Sequence, residues 1–165
     1  MSETPTIRVR RIGEHTLPVP SRATPFAAGL DLRNAGPRVT LEPWFGTPSP
    51  KPLEAGTIQA YTHANVVTVQ PPWPLVKQLG VGFAFAIPSG YCGLVLGRSG
   101  LAFKSGVAAF HIGLIDSDYR GEIAVSLVNH GTDPFVIEPG DRIAQLVIAP
   151  VSLASCEEGD LDETT

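Results

Sequence analysis

Cysteine is scarce in this chain, and the two present, Cys92 and Cys156, stand far apart with no C-x-x-C and no nearby Cys/His pair. That spacing suggests neither a disulfide framework nor a structural zinc site. The four histidines, His15, His63, His111 and His130, are scattered singly and form no ligand cluster. Charge is thin as well: 12 Lys and Arg face 16 Asp and Glu, a formal net charge of -4. The sign is wrong for bulk binding to DNA or RNA phosphates, although a few convergent donors could still hold a small anion. Long apolar runs are missing too. The longest, Val81 to Ile87, falls far short of the ~20 residues that span a bilayer. The polar, acidic start Met1-Ser2-Glu3-Thr4-Pro5 lacks a basic-then-apolar leader pattern, so a reducing, cytoplasmic setting without membrane contact is expected.

Glycine and proline are plentiful, at 17 and 16 of 165 residues. Long helices are hard to place among so many breakers, which excludes a helical bundle and disfavours a doubly wound α/β fold. With 43% hydrophobic residues the chain can still fill one core. The expectation is one all-β domain over 1–154, a sandwich or jelly roll, followed by a loose acidic tail over 155–165. Predicted strands cover Thr6 to Ile12, Val66 to Val69, Leu79 to Ile87, Tyr91 to Leu96, Val107 to Ile115, Glu122 to Val128, Phe135 to Ile137 and Ile143 to Ile148. Ala27 to Asn34 alternates so that Leu30 and Leu32 point one way and Asp31 and Arg33 the other. The single short helix is placed from Ser99 to about Lys104, with Ser99 as cap and Gly106 as stop. The proline-rich 42–56 stretch reads as an extended surface loop and a candidate docking surface for a protein partner.

Three constellations can carry chemistry. Arg98-Ser99-Gly100 offers a guanidinium, a hydroxyl and an approachable backbone at a helix start. It suits a phosphate or is a simple cap. Asp116 to Gly121 places three charges and a tyrosine between apolar strands, either as a polar turn closing a hairpin or as a carboxylate poised to activate a water. Gly140-Asp141-Arg142-Ile143-Ala144-Gln145-Leu146 feeds a buried strand in which the Gln145 amide needs partners.

In order and spacing these segments, with Ala27-Ala28-Gly29-Leu30-Asp31-Leu32-Arg33 ahead of them, resemble the trimeric dUTPases, dUTP nucleotide pyrophosphohydrolases. The resemblance runs from about Ile7 to Val151 and implies a jelly-roll (β-clip) subunit in a homotrimer with active sites at the interfaces. The implied reaction is hydrolysis of dUTP to dUMP and pyrophosphate with Mg2+, which keeps uracil out of DNA and supplies dUMP for thymidylate synthesis. Asp116 matches the general base, and Gln145 the amide that holds phosphate and catalytic water. Arg98, Ser99 and Gly100 match the phosphate segment, and Tyr119 the ring under the deoxyribose. Phe110, Gly113, Leu114, Ile115 and Ala124 fall on the strands of the implied uracil hairpin. Asp31 matches the acidic residue of the metal environment, acting through metal-bound waters. Relatives carry a glycine-rich arm beyond the position of Thr165, and a chain ending there is expected to lack a lid and a phosphate-contacting arginine. Alternatives implied at this level are a nucleotide-dependent regulatory protein on the same fold and a dCTP deaminase relative.

Overall fold

The computed structural model describes residues 5–43, 61–63, 66–68 and 76–160. Most of the proline-rich 42–56 loop and the end of the tail lie outside them. The described elements are β1 (Arg8–Arg11), β2 (Leu30–Arg33), β3 (Val39–Leu41), β4 (Tyr61–His63), β5 (Val66–Thr68), β6 (Lys77–Ala86) and β7 (Tyr91–Gly97). Then come α1 (Ser99–Ser105), β8 (Val107–Ala109), β9 (Gly113–Ile115), β10 (Glu122–Asn129), β11 (Phe135–Ile137) and β12 (Arg142–Pro150). The chain folds as an all-β jelly roll, with one short helix among the described residues.

The apolar run from Val81 to Ile87 cannot present a face to water, and it becomes the middle of the longest strand. β6 lies between β1 and β10 in an antiparallel sheet of order β1-β6-β10-β8. The opposing sheet has order β2-β12-β7-β9, with β12 central and its Ile143, Ala144 and Leu146 buried. The core includes Val81, Phe83, Phe85, Ile123, Val125 and Leu127 of the first sheet and Leu32, Val95, Ile143 and Leu146 of the second. Each such large side chain contributes roughly 1.5–3 kcal/mol by leaving water. Two smaller ladders, β11 with β3 and β4 with β5, complete the described pairings. Residues 151–160 carry no strand or helix and are exposed.

Two buried asparagines close the ends of the strands. Asn34 donates from Nδ2 to the Pro37 and Glu138 carbonyls at 3.0 and 3.3 Å and accepts the Gly36 amide at 3.0 Å. The end of β2 is thereby tied to the turn that launches β12. Asn129 donates to the Leu41 and Asp133 carbonyls at 2.9 and 2.8 Å and accepts the Gly131 amide at 2.8 Å. Both side chains are fully buried, so they supply bonds that water cannot.

Three local expectations are corrected. Val107 to Ile115 is not one strand: Phe110 makes the last bond, its amide to the Ser126 carbonyl, and the chain then turns through exposed His111 and Ile112 into the other sheet. The helix cap is Arg98, extended at φ -97° and ψ 124°, and no side chain caps the amides. Ser99 already lies inside the helix, while Gly106 ends it as expected, at φ 67°. Finally, the strands on either side of Asp116 do not pair with each other. β9 pairs with β7, and β10 pairs with β6 and β8, so residues 116–121 cross from one sheet to the other.

Asn129→Ala should leave two carbonyls and one amide without partners in the interior. The expected loss is about 3 kcal/mol in a urea unfolding titration, whereas a surface change such as Thr132→Ala should cost under about 0.5 kcal/mol.

Candidate functional site

The register of β2 and β12 sets Asp31 opposite Gln145, and that of β12 and β7 sets Ala144 opposite Gly97. Three of the motif segments therefore meet at one end of the second sheet. There a cleft of about 510 Å³ is lined by Gly97, Arg98, Ser99, Ala102, Phe110 and Gln145, among others. Gln145 is half-buried, and its Nε2 donates to the Gly97 carbonyl at 3.3 Å. The polar residue that interrupts an apolar strand thus has its partner. Gly29 supports the same side chain from the other side. A Cβ there would fall 2.9 Å from Oε1 and 3.0 Å from Cβ of Gln145, so only glycine leaves that side chain its position.

Charge at this end is arranged around Asp31. Arg142 Nη1 donates to its Oδ2 at 3.1 Å, and Arg98 Nε stands 3.7 Å from Oδ1. Arg98 also donates from Nη1 to the Arg142 carbonyl at 3.2 Å. Two guanidiniums against one carboxylate leave a net positive charge beside the cleft, suited to an anion. Arg142, named in the sequence only as part of the segment from Gly140 to Leu146, belongs to this cluster. Gly100 is exposed on α1, and a Cβ there would meet nothing within 4 Å.

The remaining candidates lie elsewhere. Gly113, Leu114 and Ile115 form β9, with Ile115 opposite Gly93 and Gly113 opposite Val95. Gly93 and Gly97 are four residues apart on β7, or about 13 Å at a strand's rise of ~3.3 Å per residue. Asp116 follows Ile115, so it lies toward the Tyr91 end of β7, away from Arg98. It is exposed, and the Tyr119 amide donates to its carbonyl at 3.2 Å in a turn. The Tyr119 hydroxyl donates to the Glu122 carbonyl at 3.0 Å. Its ring lies so close over Gly121 that a Cβ there would come within 3.1 Å of Cε2, which makes glycine obligatory. Ala124 is exposed on β10 in the other sheet, opposite Gly80. A single chain therefore unites Asp31, Arg98, Ser99, Phe110 and Gln145, and it leaves Asp116 and Tyr119 outside that cleft.

Among the described residues no group of three or more His, Cys, Asp and Glu side chains could hold a metal ion. Asp31 is the carboxylate of the charged cluster, and it is already bonded to arginine. A carboxylate already paired with two arginines does not cage a metal ion and is left only water-mediated contact with a hydrated Mg2+. No described helix is long and apolar enough to cross a membrane.

Comparisons with known proteins point to one family. A family model described as dUTPase matches residues 62–165. A deoxyuridine 5'-triphosphate nucleotidohydrolase of Maricaulis maris is 41% identical over 153 residues, covering 90% of this chain and 82% of that protein. The Aquifex aeolicus protein of the same name is 42% identical over 147 residues, covering 88% and 79%. Among solved structures, the dUTPase from phage phi11 of S. aureus superposes with a TM-score of 0.70 at 22% identity, over 98% of this chain and all of the other. A point mutant of that phage enzyme, at TM-score 0.69 and 22% identity, was solved with a structural Mg(II) ion and covers 95% of this chain and 98% of its own.

Arg98→Ala should weaken binding of inorganic pyrophosphate about tenfold or more in low-salt calorimetry, the scale of a lost charge-assisted bond. Unfolding stability should change by less than about 1 kcal/mol, because Asp31 keeps Arg142 and the pair is partly solvated.

Proposed function

The chain belongs to the dUTPase family, and from that premise we propose that it hydrolyses dUTP to dUMP and pyrophosphate in sites shared between copies of the chain. The observation that carries the shared site is the separation of its halves along β7. Arg98 and Gln145 stand at the Gly97 end of β7, and Asp116 follows β9 toward the Tyr91 end. A homotrimer that brings Asp116 and Tyr119 of one copy to the phosphate cluster of the next completes the constellation. Exposed apolar side chains support such an assembly: Phe103 is 90% exposed, Ile112 66% and Leu114 62%. Such surface is costly to leave in water and suits burial against a second copy. On this basis 1–154 form the enzymatic domain and 155–165 an appended tail.

Each residue then acts as its surroundings dictate. Arg98, with Ser99 and the Gly100 backbone, grips the phosphates and offsets charge that grows as the α–β bond breaks. Bound Mg2+ would supply further neutralisation on the triphosphate, and Asp31 would meet its waters. Gln145, fixed by Gly97 and Gly29, holds a phosphate oxygen and the attacking water in line. Asp116 accepts hydrogen bonds from no described side chain, which leaves both carboxylate oxygens free to orient that water and take its proton. Tyr119, held by Gly121 and the Glu122 carbonyl, lies flat beneath the sugar and leaves no room for a 2'-hydroxyl. β9 supplies the amides and carbonyls of Gly113, Leu114 and Ile115 to the uracil edge, with Phe110 at the neighbouring corner and Ala124 on the facing strand. Cytosine would leave buried donors and acceptors there unmatched.

The test is pyrophosphate release with dUTP, dCTP, dTTP and UTP at equal concentration. Preference for dUTP is expected, and equal turnover of UTP would remove the role given to Tyr119. Asp116→Asn should retain the trimer and dUTP binding while turnover falls by about 10³ or more; retained turnover would put the base elsewhere.

A further inference from the structure

Glu122 was not among the residues singled out by motif, yet it stands where the crossing from Tyr119 enters β10. Between the register pairs Glu122 with Ala84 and Ala124 with Gly80, β10 advances two residues while β6 advances four. The surplus forms a bulge at Gly82, which takes φ +72°, a conformation that costs a side-chain-bearing residue dearly. A bulge deprives ladder groups of their strand partners. Here the Gly82 amide donates instead to Oε1 of Glu122 at 2.7 Å. The Gly82 carbonyl accepts from the Ile12 amide and from His15 Nε2, both at 2.8 Å. Gly80 makes room for the arrangement: a Cβ there would run into the Glu122 carboxylate.

The half-buried Glu122 is therefore pinned by its side chain to a bulge that is itself held from the opposite side. Its backbone is the other end of the bond from the Tyr119 hydroxyl. Ring, carbonyl, carboxylate and bulge form one continuous chain of contacts from the proposed sugar platform to the centre of the first sheet. We propose that Glu122 is a positioning residue that fixes the height and tilt of the Tyr119 ring, so that selection of deoxyribose over ribose depends on its carboxylate oxygen. This role rests on Tyr119 being the platform beneath the sugar, as inferred above. Glu122 has no part in the contacts proposed above to phosphate or water. Without the oxygen, the Gly82 amide lacks its partner, the start of β10 shifts, and the ring gains the few tenths of an ångström that admit a hydroxyl. Glutamine keeps an oxygen able to accept the same bond, whereas alanine does not.

The experiment compares kcat/KM for dUTP with kcat/KM for UTP in Glu122→Ala, Glu122→Gln, Tyr119→Phe and Tyr119→Ala. Glu122→Ala should lower the ratio about tenfold, and Glu122→Gln should stay within about twofold of the parent. Tyr119→Phe keeps the ring but loses the bond to the Glu122 carbonyl, and it should lower the ratio in the same direction. Tyr119→Ala should remove most of the discrimination. A Glu122→Ala ratio equal to the parent's, beside a collapsed ratio in Tyr119→Ala, would overturn the role of Glu122 and leave that of Tyr119. An unchanged ratio in Tyr119→Ala would overturn both. If Glu122→Ala does not fold, Tyr119→Phe decides: a parental ratio there breaks the link to Glu122.

Discussion

Strand β7 is paired on both sides, to β12 over seven residues and to β9 over three, and that pairing fixes where the residues of the proposed site stand. Its Gly97 end collects Asp31, Arg98 and Gln145 through the registers of β2 and β12. Its middle, Gly93 to Val95, receives β9, from which the chain runs away from Gly97 and crosses to the opposite sheet through Asp116 and Tyr119. Hydrogen-bonded strands buried in a core do not slide, because a one-residue slip would turn every apolar side chain to the wrong face. The two halves of the site are therefore fixed apart within one copy. Rigid halves suit catalysis between copies, since alignment then comes from the interface rather than from ordering a loop at each turnover.

The turns at the ends of these strands are held mainly by side chains that bond backbone groups. Asn34 ties β2 to the turn before β12, Asn129 ties β10 to β3, and Glu122 mends the bulge in β6. Such bonds have short, directional geometry and bury little charge, so they specify a position without a large electrostatic cost. The least exposed ion pairs among the described residues are at one place, where Asp31 lies between Arg98 and Arg142. Its carboxylate keeps the two guanidiniums from repelling one another and still leaves the cluster positive.

Much of this was legible in the sequence. The Gly and Pro content pointed to short strands, and the runs at Leu79 to Ile87 and Ile143 to Ile148 became β6 and β12 because stretches so rich in apolar residues must lie inside the sheets. What was not legible depended on partners distant in sequence. Val107 to Ile115 looked like one strand, since a chain that leaves one sheet at Phe110 and joins the other at Gly113 keeps its apolar composition throughout. Asp116 to Gly121 had the composition of a hairpin turn, and the pairing of its flanks with other strands is invisible locally. Ser99 suited a cap by type, but the helix begins at it, with Arg98 in the cap position. The motif segments supplied Asp31, Arg98, Asp116, Tyr119 and Gln145 as candidates. Glu122 escaped because its partner, a glycine amide forty residues away, carries no sequence mark beyond the glycine itself.

The central claim is that the phosphate-gripping half and the base-bearing half of each site come from different copies. Mixing two inactive variants tests it most directly: Arg98→Ala and Asp116→Asn, unfolded together in equal amounts and refolded into mixed assemblies. In a randomly mixed trimer about one site in four would combine an intact Arg98 from one copy with an intact Asp116 from another, so about a quarter of the parental turnover should return. If the mixture stays as inactive as the separate variants while the refolded parent regains full turnover, the site is complete within one chain and the claim is wrong.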